Sequence, residues 1–179
     1  MDVRDRILEA ALGLLAESGA QELTQPKVSK AAGVRQSHLT YYFPTITDLL
    51  QAVARRSLDT LAKEVYETRG VKQPASLADA LAHGAADKRR VRMMLGLANA
   101  ADRDASLKPR MRAFVKELRG RVAGLLQAGG VEADDEEVAF MHTVIVGAAV
   151  LQFARDNAEA RREARQVLKK AMQCVARRS

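Results

Sequence analysis

"VSKAAGVRQSHLTYYF", residues Val28 to Phe43, decides the fold. Val28, Ala32 and Val34 can turn inward, small Ser29 and Ala32 let two helices cross closely, and Gly33 supplies a tight turn between them. Upstream, Thr24 suits an N-cap and Pro26 sits in the first turn, where its missing N–H costs nothing. Downstream, a second short helix is expected from about Arg35 to Tyr42. Short helix, glycine turn, short helix is a helix-turn-helix, a unit that lays its second helix in the DNA major groove. The same stretch holds Tyr41, Tyr42 and Phe43, three of only seven aromatic residues among 179.

Helical periodicity continues on both sides. Val3, Ile7, Ala10, Ala11, Leu14 and Leu15 recur at three- and four-residue steps, and Gly19 ends that helix. "TITD", Thr45 to Asp48, is a capping box with Asp at its third helical position, opening a helix through Leu49, Leu50, Val53, Leu58, Leu61 and Val65. "RGVKQPAS", Arg69 to Ser76, breaks the chain with Gly70 and Pro74 bracketing a turn. Ser76 and Asp79 form a further capping pair, starting a helix expected to run to about Ala101. After the loop "DRDASLKP", a helix from about Pro109 reaches Gly129–Gly130. "EADDEE" places acids where the next helix dipole favours them, and that helix extends to about Arg155. A last helix covers "NAEARREARQVLKKAMQCVARRS". No strand alternation and no internal repeat is present, so the chain reads as all-α with about nine helices.

Composition sets further bounds. Hydrophobic residues make up 47% and charged residues 28%, ordinary values for a folded chain able to bury a core. The longest apolar stretch, "VIVGAAVL" from Val144 to Leu151, is far short of the roughly 18 to 20 residues of a membrane span, and "MDVRDRILEAAL" lacks a signal-peptide layout. A cytoplasmic location without membrane attachment is expected. Cys174 is alone, so neither a disulfide framework nor a multi-thiolate metal site is expected, nor any cofactor. The net charge of +7 is unevenly placed. Seven Lys/Arg face seven Asp/Glu through Thr60, whereas eleven face three between Lys88 and Arg121. Bulk basicity therefore does not locate a nucleic-acid surface.

The first 50 residues resemble the DNA-binding domain of the tetracycline-repressor-like (TetR) family of transcriptional regulators. The likeness rests on Arg4, Ile7-Leu8, Ala10-Ala11, Leu14-Leu15 and Gly19, then on Thr24, Val28, Ser29, Ala32, Gly33 and Val34, then on Leu39, Tyr42, Phe43, Thr45 and Leu49. Four positions depart from the pattern: Arg35 replaces a common Ser, Thr40 stands where Tyr is usual, Ile46 replaces a Lys, and Thr47 replaces an acid that comes one residue late as Asp48. The resemblance implies that residues 1–45 bind DNA and that 46–179 form a helical effector-binding and dimerisation domain. It places Gln36 and Arg35 against base edges, where they could pair bidentately with adenine and guanine, and Ser37 and His38 beside them. Thr24, Lys27, Thr40 and Tyr42 suit phosphate contacts, and Tyr41 is divided between phosphate and packing.

A catalytic reading fails on geometry. Ser37 and His38 are adjacent on a helix and point about 100° apart, with no acid to orient the imidazole. His83 and His142 lack partners at metal-binding spacing. The chain is not expected to be an enzyme.

For the remainder, the resemblance implies a homodimer on a palindromic operator and a small-molecule effector that releases it. The helix "MHTVIVGAAVLQFARD" is apolar on more than one side, and the last helix carries its own apolar stripe. Val144, Gly147, Ala148, Leu151, Val167, Leu168, Ala171 and Val175 are the interface candidates. Met93, Met94, Leu97, Met111, Phe114, Phe140, Met141 and Phe153 are candidate pocket linings, with Asn99, His142 and Gln152 as polar anchors. The alternative is a helical ligand- or partner-binding protein with weakened DNA binding, which Ile46 and the neutral first 60 residues leave open.

Overall fold

Gly33 turns the chain with φ 61 and ψ 39, a left-handed conformation that an L side chain resists. Its N–H donates to the Lys30 carbonyl at 3.2 Å and that of Val34 to the Ser29 carbonyl at 3.0 Å, the paired bonds of a Schellman ending. This stops α2 (Gln25–Ala32) and aims the chain into α3 (Gln36–Tyr42). Thr24 caps α2 by accepting from the Lys27 N–H, as the sequence predicts. Leu39 is fully buried and Phe43 nearly so, which fixes the inward face of α3. Burying a leucine of this kind contributes roughly 1.5–3 kcal/mol.

The computed structural model describes residues 2–19, 23–63 and 74–177. Among them lie nine α-helices and no strand, so the chain is all-α. Before α2 comes α1 (Val3–Ser18), capped by Asp2 and ended by Gly19 at φ 80. After α3 come α4 (Ile46–Lys63), α5 (Pro74–Ala85), α6 (Lys88–Arg103), a 3-10 turn (Ala105–Leu107), α7 (Lys108–Ala128), α8 (Asp135–Arg155) and α9 (Ala158–Ala176). The expected continuation of α4 to Val65 and the turn at Gly70 lie outside the described residues.

Two compact units divide the chain. One comprises Met1–Leu58 with Lys88–Met111, the other Asp59–Asp87 with Arg112–Ser179. In the first unit α1 packs on α2, α3 and α6. In the second, α5, α8 and α9 pack on one another around Leu77, Leu81, Leu126, Met141, Met172 and Val175.

One expectation is corrected here. The helix predicted from Ser76 to Ala101 is two helices, broken at Ala86–Asp87 where the N–H groups fall back to i−3 carbonyls of His83 and Gly84. The physical reason is that the two halves serve different cores: Leu77 and Leu81 belong to the second unit, Val91 and Leu97 to the first. Ser76 is therefore inside α5 rather than at its cap, and Pro74 takes the first helical position. Asp79 pairs with Lys169 at 3.2 Å and Arg165 at 3.6 Å, both on α9.

Candidate nucleic-acid interface

The helix-turn-helix is braced by three side chains, of which Arg6 and Gln25 are not singled out by the sequence pattern. Arg6 on α1 donates to the carbonyls of Ala32 at 2.7 Å and Gly33 at 2.9 Å, closing the end of α2 with a cation where the helix dipole is negative. Gln25, the first residue of α2, donates its amide to the carbonyls of Phe43 at 3.1 Å and Pro44 at 3.0 Å. The Arg4 guanidinium lies 5.7 Å from the Phe43 ring centroid, within cation–π range. One signal for such a brace is in the sequence: α3 runs out in "YYFPT" with neither Gly nor Asn to close it.

The exposed surface of α3 follows from 100° per residue. With Leu39 and Phe43 inward, Ser37, His38 and Tyr41 point most directly outward and Thr40 and Tyr42 flank them, while Gln36 is exposed as the first residue of the helix. Thr24, Lys27, Arg35, Gln36, Ser37, His38, Tyr41 and Tyr42 are all exposed, Tyr41 to 80%. Tyr41 and Tyr42 meet edge to face at 5.2 Å. Thr40 differs from its neighbours. It is half-buried, and its hydroxyl donates back to the carbonyls of Gln36 at 3.1 Å and Ser37 at 3.2 Å.

The predicted capping box opens α4. The Asp48 N–H donates to the Thr45 hydroxyl at 3.1 Å, while Asp48 accepts from the Thr45 N–H at 2.9 Å and hydroxyl at 2.7 Å. Arg110 also donates to Asp48 and, at 3.3 Å, to Gln51. Burial pushes the Asp48 carboxyl up, but the Thr45 hydroxyl, Arg110 and the Thr45 N–H together outweigh it and hold it below its ordinary 3.8. Arg92 closes the end of α1 through the Leu15 carbonyl at 3.2 Å and that of Ala16, and Arg90 reaches Ser57 at 3.0 Å. Three arginines of the basic stretch are thus committed to internal partners.

The family model for bacterial regulatory proteins of the tetR family matches residues 7–53, which cover α2, α3 and most of α1. The nucleoid occlusion factor SlmA of Glaesserella parasuis serovar 5 is 34% identical over 67 residues, 37% of this chain and 33% of that one. The HTH-type transcriptional regulator CymR of Pseudomonas putida is 32% identical over 149 residues, 76% of this chain and 71% of CymR. The chain belongs to the TetR family of transcriptional regulators. This regulator spans only about a third of the length of that SlmA relative. Its fold superposes on a TetR-family regulator from Rhodococcus sp. with a TM-score of 0.74 at 21% identity, covering 97% of this chain and 98% of the other. The multidrug binding protein EbrR, in its complex with ethidium, gives 0.69 at 25% identity over 95% and 98%. Members of this family are regulators and not enzymes.

The regulator's remaining candidates fall into separate places. Met93, Met94, Leu97, Asn99 and Met111 belong to the first unit, where Met93 and Leu97 are buried and Asn99 exposed. Phe114, Phe140, Met141, His142, Gln152 and Phe153 belong to the second. Phe114 and Met141 are buried there, Phe140 is 46% exposed, and burial together with the Arg119 charge lowers the His142 pKa below its ordinary 6.5. Among the interface candidates, Leu168, Ala171 and Val175 are buried within the protomer, the last two in the core that α9 shares with α5 and α8. Val144, Gly147, Ala148, Leu151 and Val167 instead line an open groove of about 190 Å³ between α8 and α9, together with buried Gln152. Leu151 is 59% and Val167 44% exposed at its lips. Among the described residues α8 is the one helix long and apolar enough to cross a membrane, yet only 22% of that window is buried.

Proposed function

We propose that this regulator reads a palindromic DNA operator as a homodimer and acts as a repressor that a small-molecule effector releases. The observation that carries the DNA-reading part is α3 itself: a seven-residue helix tied down at its turn by Arg6 and at its end by Gln25, presenting a continuous polar face. Ser37, His38, Gln36 and Arg35 face base edges, with Lys27, Thr24, Tyr41 and Tyr42 on the backbone. Thr40 is removed from that set by its back-bonded hydroxyl, which favours Tyr41 and Tyr42 as phosphate donors. Residues 1–45 hold this surface, and 46–179 supply the effector and dimer functions.

The dimer face is the groove between α8 and α9. Small Gly147, Ala148, Ala160 and Ala164 form its floor and Leu151 and Val167 its lips. A second copy packed about a two-fold axis covers the apolar surface that α8 leaves open, which also accounts for its membrane-like composition in a cytoplasmic protein. Leu168, Ala171 and Val175 support that face from behind. Effector release rests on EbrR, a family member solved with ethidium and with proflavin. The side chains assigned to an effector are Met93, Met94, Leu97, Asn99, Met111, Phe114, Phe140, Met141, His142, Gln152 and Phe153.

Selection of bound fragments from random duplex DNA tests the reading. Enrichment of a palindrome, with affinity falling as salt rises, is the expected result. Changing Gln36 or His38 to Ala should relax base preference, whereas Tyr42→Phe should weaken all sequences alike. No enrichment even at low salt refutes it and leaves a helical partner- or ligand-binding protein.

A further inference from the structure

Helix α3 ends without a residue of its own that can close it. Phe43 leaves the helix at φ −137, and its N–H is already given to the Leu39 carbonyl at 2.8 Å. Pro44 follows and has no N–H to offer. Past the helix end the Gln25 amide donates to the carbonyls of both Phe43 and Pro44, the two residues by which the chain leaves α3. An amide nitrogen has two hydrogens, so its donor capacity is fully used.

The location matters more than the bonds. Gly33 joins the end of α2 to the start of α3, while Gln25 joins the start of α2 to the end of α3. The two helices are therefore linked at both extremities, and the crossing angle between them is held at two points rather than one. Pro44 leads directly to Thr45, the cap of α4, so the same amide also fixes where the chain leaves the reading helix.

We propose that Gln25 is a positioning residue for base readout: by tying the start of α2 to the end of α3 it sets the tilt at which α3 meets the major groove. This deepens the DNA-reading assignment above and rests on it. A direct phosphate contact would require the amide to abandon its two carbonyls, so Gln25 acts on DNA through α3. Phosphate contacts tolerate small tilts, because they lie along a continuous backbone. Base-edge hydrogen bonds do not, because their donors must meet fixed acceptors. Losing the tie should therefore lower affinity for the operator and leave affinity for unrelated DNA unchanged.

The experiment uses the full-length protein, the palindrome obtained by selection, and a scrambled duplex of equal length. Gln25→Met keeps the side-chain length and removes the donors. Gln25→Glu keeps the shape and turns an acceptor toward the two carbonyls. Dissociation constants for both duplexes are measured across a salt series, with far-UV circular dichroism showing that each variant is folded. The specific-to-nonspecific ratio is the readout, since any inactive fraction cancels from it. We expect the ratio to fall roughly tenfold in both variants, within the range that one lost base contact produces, with the salt slope unchanged. A ratio that holds in both variants while the wild type discriminates overturns the role of Gln25 and leaves the regulator reading standing. Affinities that fall together for both duplexes also overturn it, since that marks a backbone contact. A wild type without any preference removes the DNA-reading assignment and this role with it.

Discussion

Substituting Gly33 by Ala should cost more than the backbone alone explains, because Arg6 is in the way. At φ 61 and ψ 39 an L residue is disfavoured by about 1–2 kcal/mol, and the loss of chain entropy in the unfolded state returns about 0.4–1 of that. The backbone contribution is then about 1 kcal/mol. An added Cβ would stand 3.1 Å from the Arg6 guanidinium, closer than ordinary contact. Arg6 must yield by a few tenths of an ångström, lengthening its bonds to Ala32 at 2.7 Å and Gly33 at 2.9 Å. A hydrogen bond involving a charged group contributes about 1.5–3 kcal/mol, so weakening both by a modest fraction costs about 1 kcal/mol more. Gly33→Ala should destabilise the first unit by about 2 kcal/mol.

The cycle with Arg6→Met separates the two contributions. Without the guanidinium the Cβ meets nothing so close, and Gly33→Ala should then cost only its backbone share. The double mutant should be less damaged than the sum by about 1 kcal/mol, a coupling typical of residues in contact. Urea unfolding followed by far-UV circular dichroism, with hydrogen exchange at the α2 amides to localise the loss, measures all four corners. Additivity within about 0.3 kcal/mol, or a Gly33→Ala cost below about 0.5, would refute the reasoning.

Three further outcomes are expected. Thr45→Ala removes the cap that accepts from the Asp48 N–H and should cost about 1 kcal/mol in urea unfolding. Leu151→Glu places a charge on the lip of the α8–α9 groove and should convert the proposed dimer to monomer in sedimentation at micromolar concentration, leaving helical content intact. Burial and Arg119 lower the His142 pKa, so the unfolded state takes up a proton first as pH falls. The stability that His142 contributes is full above about pH 6.5 and lost as pH falls through its depressed folded value. The urea midpoint of His142→Gln should accordingly change less between pH 7.5 and 5.5 than that of the wild type.

Local chemistry was legible where a residue type has few uses. Gly19, Gly33, Thr24 and the Thr45–Asp48 box all stand where the sequence places them, since each acts on its own neighbours. The acids before α8 went further than the helix dipole requires: Asp134 and Glu137 form a reciprocal capping box. What escaped was chemistry between distant segments. Nothing near Arg6 announces that it will close a helix 26 residues away, and nothing near Arg92 points to the end of α1. The break between α5 and α6 was hidden for a related reason. Leu77, Leu81 and Val91 share a helical spacing but serve two cores, and periodicity alone does not say which core a residue serves.

The neutral first 60 residues pose a question about DNA affinity that the fold reframes. The first unit includes α6, so it carries fourteen Lys/Arg against eight Asp/Glu. That excess can steer the protein toward a polyanion at long range. Part of it is tied internally, because Arg90, Arg92 and Arg110 are bonded to Ser57, the end of α1 and Asp48. Around the reading helix Lys27, Lys30 and Arg35 are exposed, as is Arg4. Arg4 lies over Phe43 and Arg6 closes α2. With Arg35 on a base edge, Lys27 and Lys30 of the two protomers of the proposed dimer would neutralise about four phosphates, and at about 0.9 per phosphate the logarithm of the binding constant should fall with log salt at a slope near −4. Titration of the selected operator between 50 and 300 mM salt, at about five concentrations, measures that slope. A value steeper than about −8 would mean that the Arg90–Arg110 stretch leaves its internal partners on DNA and grips the backbone, which would refute the assignment of those arginines as structural tethers.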